Sequence, residues 1–158
     1  MDNFFCLHFK FLIMLEDKQY TNNSNPLLDK SFNLALRIVK LYQYLTTVKK
    51  EYVLSKQVLR SGTNPGAMVH ESLNAESGLD FIHKLAIALK ETYETQYWLK
   101  LLYRSGYMNE EEFNSIFADT VEVGKILTSS IKTKKKNLSL KVASAILLFL
   151  VTIFSFFK

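Results

Sequence analysis

The sequence predicts an all-α fold: an antiparallel up-down-up-down four-helix bundle with a hydrophobic C-terminal helix. Three observations carry this expectation. The 158 residues include only 2 Pro and 5 Gly, so turn and breaker signals are sparse. Leu, Lys, Glu and Ala, all good helix formers, fill the long stretches between them. Apolar residues recur at spacings of three and four in four blocks, and four helices joined by short loops pack most simply with neighbours antiparallel.

Three regions follow: an N-terminal extension and linker (1–26), the four-helix body (27–136) and a hydrophobic tail (137–158). In the extension, Phe4, Phe5, Leu7, Phe9, Phe11, Leu12 and Ile13 are apolar, but His8 and Lys10 interrupt them. A secretory signal needs a basic start, an unbroken apolar run and a small-residue cleavage site, and none is present. Residues 16–26 are polar and rich in Asn, as a linker is. Met14 offers an alternative start that would leave residues 1–13 untranslated.

The first helix is expected over 30–46. Leu34, Ile38, Leu41 and Leu45 form one apolar stripe, and Phe32, Ala35, Leu36, Val39 and Tyr42 a second. Two stripes on one helix mean contact on more than one side. The second helix is expected over 50–74, with Val53, Leu54, Val58, Ala67, Met68 and Leu73 for burial. Pro65, flanked by Gly62 and Gly66, predicts a kink or brief break there. The third runs over 78–105, opened by Ser77 with Asp80 as a capping-box variant and ended by Gly106. Phe81, Leu85, Ala88, Thr92, Thr95, Leu99 and Leu102 make its main stripe, with Ile82, Ala86, Leu89, Tyr93 and Tyr97 beside it. Asn109 and Glu112 restart the chain as a fourth helix, expected to about residue 132. Its stripe is Phe113, Ile116, Phe117, Val121, Gly124, Leu127 and Ile131.

The formal charge of +5 is local. Between residues 27 and 131, 12 Lys and Arg face 12 Asp and Glu, and the surplus sits mostly in Lys132, Lys134, Lys135 and Lys136. A broad nucleic-acid-binding face is therefore not implied. The single Cys6 cannot form an internal disulfide. His8, His70 and His83 show no metal-ligand spacing. Glu91 and Glu94 stand three apart, but Lys90 beside them points to a solvated face instead of a desolvated acid–base pair. No catalytic, cofactor-binding or metal residue, no cofactor and no small-molecule substrate are expected.

Leu54-Ser55-Lys56-Gln57-Val58-Leu59-Arg60-Ser61-Gly62-Thr63, then residues 80–91 (DFIHKLAIALKE) and 94–99 (ETQYWL), carry a resemblance. Across residues 27–136 the chain resembles the four-helix-bundle proteins first noticed in intervening sequences of large-subunit ribosomal RNA genes. The resemblance implies an antiparallel bundle that assembles as a ring, usually a homopentamer. It extends to the accessory protein of reverse transcriptases in diversity-generating retroelements, where a basic surface is thought to engage nucleic acid and the enzyme. It offers no catalytic residues to carry over. The chain departs from the pattern at Asn64-Pro65-Gly66-Ala67-Met68-Val69-His70-Glu71, where relatives usually read Ser-Ile-Gly-Ala-Asn-Val-Glu-Glu.

Gln57, Arg60, Ser61, His70 and Glu71 cluster about this segment. They read either as a polar site in the interior or on the ring face, or as hydrogen-bonding partners for backbone freed by Pro65 and Gly62. The second reading is the simpler. Arg60 also suits an intersubunit ion pair with Glu71 or Glu94. Tyr93, Tyr97, Trp98 and Tyr103, interleaved with Lys100 and Arg104, read either as a base-stacking band or as core and subunit interface.

The tail is uncharged from Val142 to Phe157, with Lys158 after it. A spanning helix takes about 20 apolar residues, so the run is slightly short unless Leu138 and Leu140 extend it while Lys141 snorkels. A tail anchor is the preferred expectation, with a cytoplasmic body on the inner membrane and Lys132, Lys134, Lys135 and Lys136 at anionic lipid headgroups. A fifth helix buried in the oligomer and a reading-frame accident are the alternatives. The functional expectation is a non-enzymatic, homo-oligomeric scaffold. The alternative is a nucleic-acid-binding module acting with a reverse transcriptase or rRNA, in which the lysine run contacts nucleic acid.

Overall fold

The computed structural model describes residues 25–156, which hold four helices and no strand. They are α1 (Pro26–Thr47), α2 (Leu54–Ser72), α3 (Gly78–Arg104) and α4 (Glu110–Phe156). Readings that concern residues 1–24 lie outside the described residues. Each helix packs on its successor and α1 closes on α4.

Helix α1 begins four residues before the expected start. Asn25 Oδ1 accepts a hydrogen bond from Leu27 N at 3.1 Å, and Pro26 occupies the first turn. A cap followed by proline is a strong start signal, because proline's missing N–H would be unsatisfied there anyway. Helix α2 begins at Leu54 instead of residue 50. Lys50 adopts the left-handed conformation (φ 54°), which ends any helical path through it. Glu51 then caps α2: its carboxylate accepts from the backbone N–H groups of Val53 (2.9 Å), Leu54 (2.8 Å) and Ser55 (2.6 Å).

The expected break at Pro65 is absent, and α2 runs through it as one helix. The glycines around it serve close helix contact. A methyl group at Gly62 would lie 2.7 Å from Ile38 Cγ1, and one at Gly66 would lie 3.3 Å from the Ser31 carbonyl oxygen. The buried face of α2 is accordingly small: Ser55, Val58, Ser61, Gly62, Pro65, Gly66, Val69 and Ser72. Of the apolar residues expected there, only Val58 is buried, whereas Val53, Ala67 and Leu73 are exposed. Small side chains let α1 approach closely, and that contact outweighs the larger apolar groups on the flanks.

Ser77 Oγ accepts from Asp80 N at 3.0 Å, as expected at the start of α3, while Asp80 reaches back to Glu76 N (3.2 Å). Gly106 (φ 77°) follows the end of α3. Asn109 and Glu112 form a reciprocal capping box, both bonds 2.9 Å. Helix α4 does not stop near residue 132 but continues to Phe156, 47 residues in all. The tail is thus the end of the fourth helix and not a separate one. No Gly or Pro interrupts residues 125–156, and lysine is a good helix former, so nothing in the backbone chemistry stops it. Among the described residues, no helix is long and apolar enough to cross a membrane.

The core holds Leu34, Ile38, Leu41 and Leu45 of α1, Val58 and Val69 of α2, Leu85, Leu99 and Leu102 of α3, and Ile116, Val123 and Leu127 of α4. Each such side chain stabilises the fold by about 1.5–3 kcal/mol through burial. The interior threonines Thr92 and Thr120 donate to the carbonyls of Ala88 (2.8 Å) and Phe117 (2.7 Å) on their own helices, so their hydroxyls are satisfied. Arg37 ties α1 to α4. Its guanidinium donates to the Ser115 carbonyl (3.2 Å), to Ser115 Oγ (2.7 Å) and to the Asp119 carboxylate. Lys30, two turns before Arg37, pairs with Glu122 (3.1 Å).

Candidate functional site

Helical periodicity decides which polar residues can meet. On α2 it separates the expected cluster. Gln57, Arg60, His70 and Glu71 are exposed, and only Ser61 is buried. Its Oγ lacks a hydrogen-bond partner among the described residues. The side chain that bonds backbone near Pro65 is Thr63, which donates to the Leu59 carbonyl at 2.8 Å. Among the described residues, no hydrogen bond links these five side chains to one another. The acids considered for Arg60 are engaged elsewhere: Glu71 pairs with Lys84 (3.2 Å), and Glu94 accepts from Trp98 Nε1 (3.1 Å).

The aromatic band of α3 divides in two. Tyr103 stacks on Phe113 (centroids 4.7 Å apart), and Trp98 packs against the core. Tyr93 and Tyr97 face outward, 57% and 58% exposed. Lys100 lies over the Phe117 ring (5.2 Å) and so covers core aromatic surface. His83 is exposed, and no group of three His, Cys, Asp or Glu that could hold a metal ion occurs among the described residues.

The outer side of α1 carries an apolar stripe. Phe32 is 49% exposed and Val39 37%, with Ala35, Leu36 and Tyr42 half-buried around them. This is the second stripe of the sequence, left uncovered while the first fills the core.

The lysines of the run differ in their surroundings. Lys132, Lys135 and Lys136 are exposed, whereas Lys134 is half-buried with Nζ 5.0 Å from the Phe81 ring centroid. Lys132 joins Lys125, Tyr93 and Gln96 along an α3–α4 groove of about 430 Å³. A second groove, about 470 Å³, lies between the start of α3 and the α4 extension. Leu79 and Ile82 form one wall, and Leu138, Val142, Ala143 and Ile146 the other.

Sequence reasoning missed the Arg37–Ser115–Asp119 tie and the Glu51 cap. The first had a faint signal: Lys30 and Arg37 are seven apart, as are Ser115 and Glu122, with Asp119 between them. Such spacing places each set on one helix face. The pairing of those faces depends on how the helices are arranged. Glu51 stands three residues before the first residue of α2, a legible position for an acid near a helix N-terminus.

Burial reduces Glu51's preference for ionisation. The backbone N–H groups of Leu54, Ser55 and Val53 outweigh it and hold the carboxyl below its ordinary value.

Comparison with known proteins adds the lineage. The family described as "23S rRNA-intervening sequence protein" matches residues 23–129. The chain is also similar to a crystal structure of a protein with unknown function from the S23 ribosomal protein family of Bacteroides thetaiotaomicron. The identity is 52% and the TM-score 0.67, over 67% of this chain and 98% of that one. No curated protein matches. The lysine run and the apolar end of α4 lie beyond the family match. A match over most of the chain, with the four-helix structure beneath it, shows that the chain belongs to the 23S rRNA-intervening sequence protein family.

Proposed function

We propose that this protein is a non-enzymatic, homo-oligomeric scaffold, an antiparallel up-down-up-down bundle whose copies join through the outer face of α1. Five copies form the assembly, as the family resemblance implies, and the apolar end of α4 attaches it to the inner membrane with the body in the cytoplasm. The observation that carries the assembly reading is the uncovered stripe containing Phe32 and Val39. A helix with a filled core stripe and a second apolar stripe facing outward is partnered on both sides. Phe32→Glu combined with Val39→Glu places charge on that stripe without touching the core. Sedimentation of this variant is expected to show a single chain with unchanged helix content, against a larger parent. A variant that sediments like the parent would refute the α1 interface.

A second reading, a nucleic-acid-binding accessory module acting with a reverse transcriptase or rRNA, is favoured by the α3–α4 groove. Exposed Tyr93 and the ammonium groups of Lys125 and Lys132 border it, a combination that suits stacking and phosphate contact. RNA binding that weakens with salt and is lost in Lys125→Glu/Lys132→Glu supports this reading. Affinity unchanged by those substitutions removes it.

A further inference from the structure

We propose that the end of the bundle where α2 hands over to α3 is a docking face for an anionic lipid surface, which Leu73 and Leu79 enter beside the α4 extension. This rests on the membrane-attachment reading above and adds a second contact that fixes how the bundle stands on the bilayer. At this end α3 starts and α4 does not stop. A methyl group at Gly78 would lie 3.5 Å from Lys134 Cε and 3.6 Å from Leu138 Cδ1, so the first residue of α3 sits beside residues 134–138. Beyond Leu138, α4 continues for roughly 27 Å, and Ser139–Ser144, Ile146 and Leu147 are exposed.

The apolar groove opens where the extension leaves the bundle. Leu79 on its wall is 67% exposed, and Leu73, in the loop before α3, 56%. Exposed leucines are unremarkable singly. Here Leu79 stands at the root of an extension that is itself apolar, and Leu73 precedes it on the loop that leads into α3.

The distribution around that extension decides between lipid and protein. Val142, Ile146 and Ile153 fall on one side of α4 by helical periodicity, whereas Leu140 and Leu147 fall more than a quarter turn away. All five are 41–64% exposed. A partner helix covers one stripe; an apolar surface on several sides suits a surrounding medium. Charge then selects the lipid. No Asp or Glu follows Glu122 in the chain. Exposed Lys135 and Lys136 lie within a turn of Leu138, and Lys141 one turn beyond. The acids at this end are largely occupied: Glu71 pairs with Lys84, and Asp80 lies 4.0 Å from Lys84 and accepts from Glu76 N. Glu76 is exposed. Lys134 is turned to Phe81, and Lys132 borders the other groove, so neither belongs to the headgroup contact.

The test is flotation of the full-length protein, delivered from detergent, with vesicles of phosphatidylcholine alone or mixed with phosphatidylglycerol. Three lysines at the surface predict binding on the order of a hundredfold tighter to the anionic vesicles. Lys135→Gln/Lys136→Gln/Lys141→Gln should lose most of that preference, and Lys132→Gln should keep it. Leu73→Ser/Leu79→Ser, at exposed positions, should weaken binding to both vesicles by about tenfold while circular dichroism is unchanged. Equal binding to neutral and anionic vesicles would overturn the lipid selectivity. Parental binding by the leucine variant would overturn the docking face while leaving attachment by the tail intact. Absence of binding to either vesicle would remove the membrane reading itself. Salt-sensitive binding of an RNA oligonucleotide that Lys135→Gln/Lys136→Gln/Lys141→Gln abolishes, with no preference for anionic over neutral vesicles, would assign the lysines to nucleic acid and overturn the proposal.

Discussion

Gly62→Ala and Gly124→Ala are the same chemical change in two helix interiors, and the structure assigns them opposite signs. At Gly62 the new methyl would stand 2.7, 2.8 and 2.9 Å from Cγ1, Cγ2 and Cδ1 of Ile38, a fully buried side chain. Cγ2 is bonded directly to Cβ, and a β-branched residue on a helix is held to one strongly preferred rotamer, so Ile38 cannot swing aside. Overpacking of this kind costs about 1–3 kcal/mol. Alanine recovers about 1 kcal/mol through its better helix propensity, leaving a net loss of up to about 2 kcal/mol. At Gly124 the nearest atoms to a new methyl, Leu89 Cδ1 and Thr92 Cγ2, are both 3.9 Å away. That is ordinary contact, so the propensity gain survives and the protein should be stabilised by up to about 1 kcal/mol. Urea unfolding followed by circular dichroism, at one protein concentration, reads both. Ile38→Ala removes all three obstructing atoms, so it should cost less in the Gly62→Ala background than in the parent. A Gly62→Ala variant stabilised as much as Gly124→Ala would refute the close approach of α1 and α2.

Two further predictions concern the polar ties. Glu51→Gln removes the ionised acceptor at the start of α2 and should cost about 1–2 kcal/mol at neutral pH. Because the folded pKa lies below the ordinary value of 4.5, the ionised cap's contribution is fully present above that value. It is lost as pH falls through the folded pKa, so the gap between variant and parent should close in acid unfolding curves. Arg37→Ala strips α1 of its bonds to Ser115 and Asp119 and should cost about 1–3 kcal/mol by the same urea assay. Asp119→Ala in that background should then add little, because the partner is already gone.

Much of the fold was legible because its signals are local. Asn109 and Glu112 close their box within one turn, and Gly106 supplies the left-handed residue after α3. Leu34, Ile38, Leu41 and Leu45 reveal the core side of α1 by spacing alone. What was misread depends on a second helix or on a change that the backbone ignores. Gly62 and Gly66 look like breakers until Ile38 and Ser31 are seen against them. Charge changes sharply at residues 132–136, but charge does not end a helix, and α4 passes through. Gln57, Arg60, Ser61, His70 and Glu71 are near in sequence, yet the turn of α2 exposes four and buries one. The outward stripe of Phe32 and Val39 was visible as a second apolar periodicity, and the structure leaves it uncovered. The docking leucines were not legible as such: Leu73 reads as a burial position of the second helix, and Leu79 gains meaning only from its place beside the α4 extension.

Self-assembly is the claim on which the functional account stands. The most direct test is the absolute mass, by light scattering, of the protein ended after Asn137, which keeps the family-matched region and removes most of the apolar extension. The account predicts a mass close to that of five chains, unchanged on dilution across the micromolar range. A compact species with the mass of one chain at high concentration would contradict it.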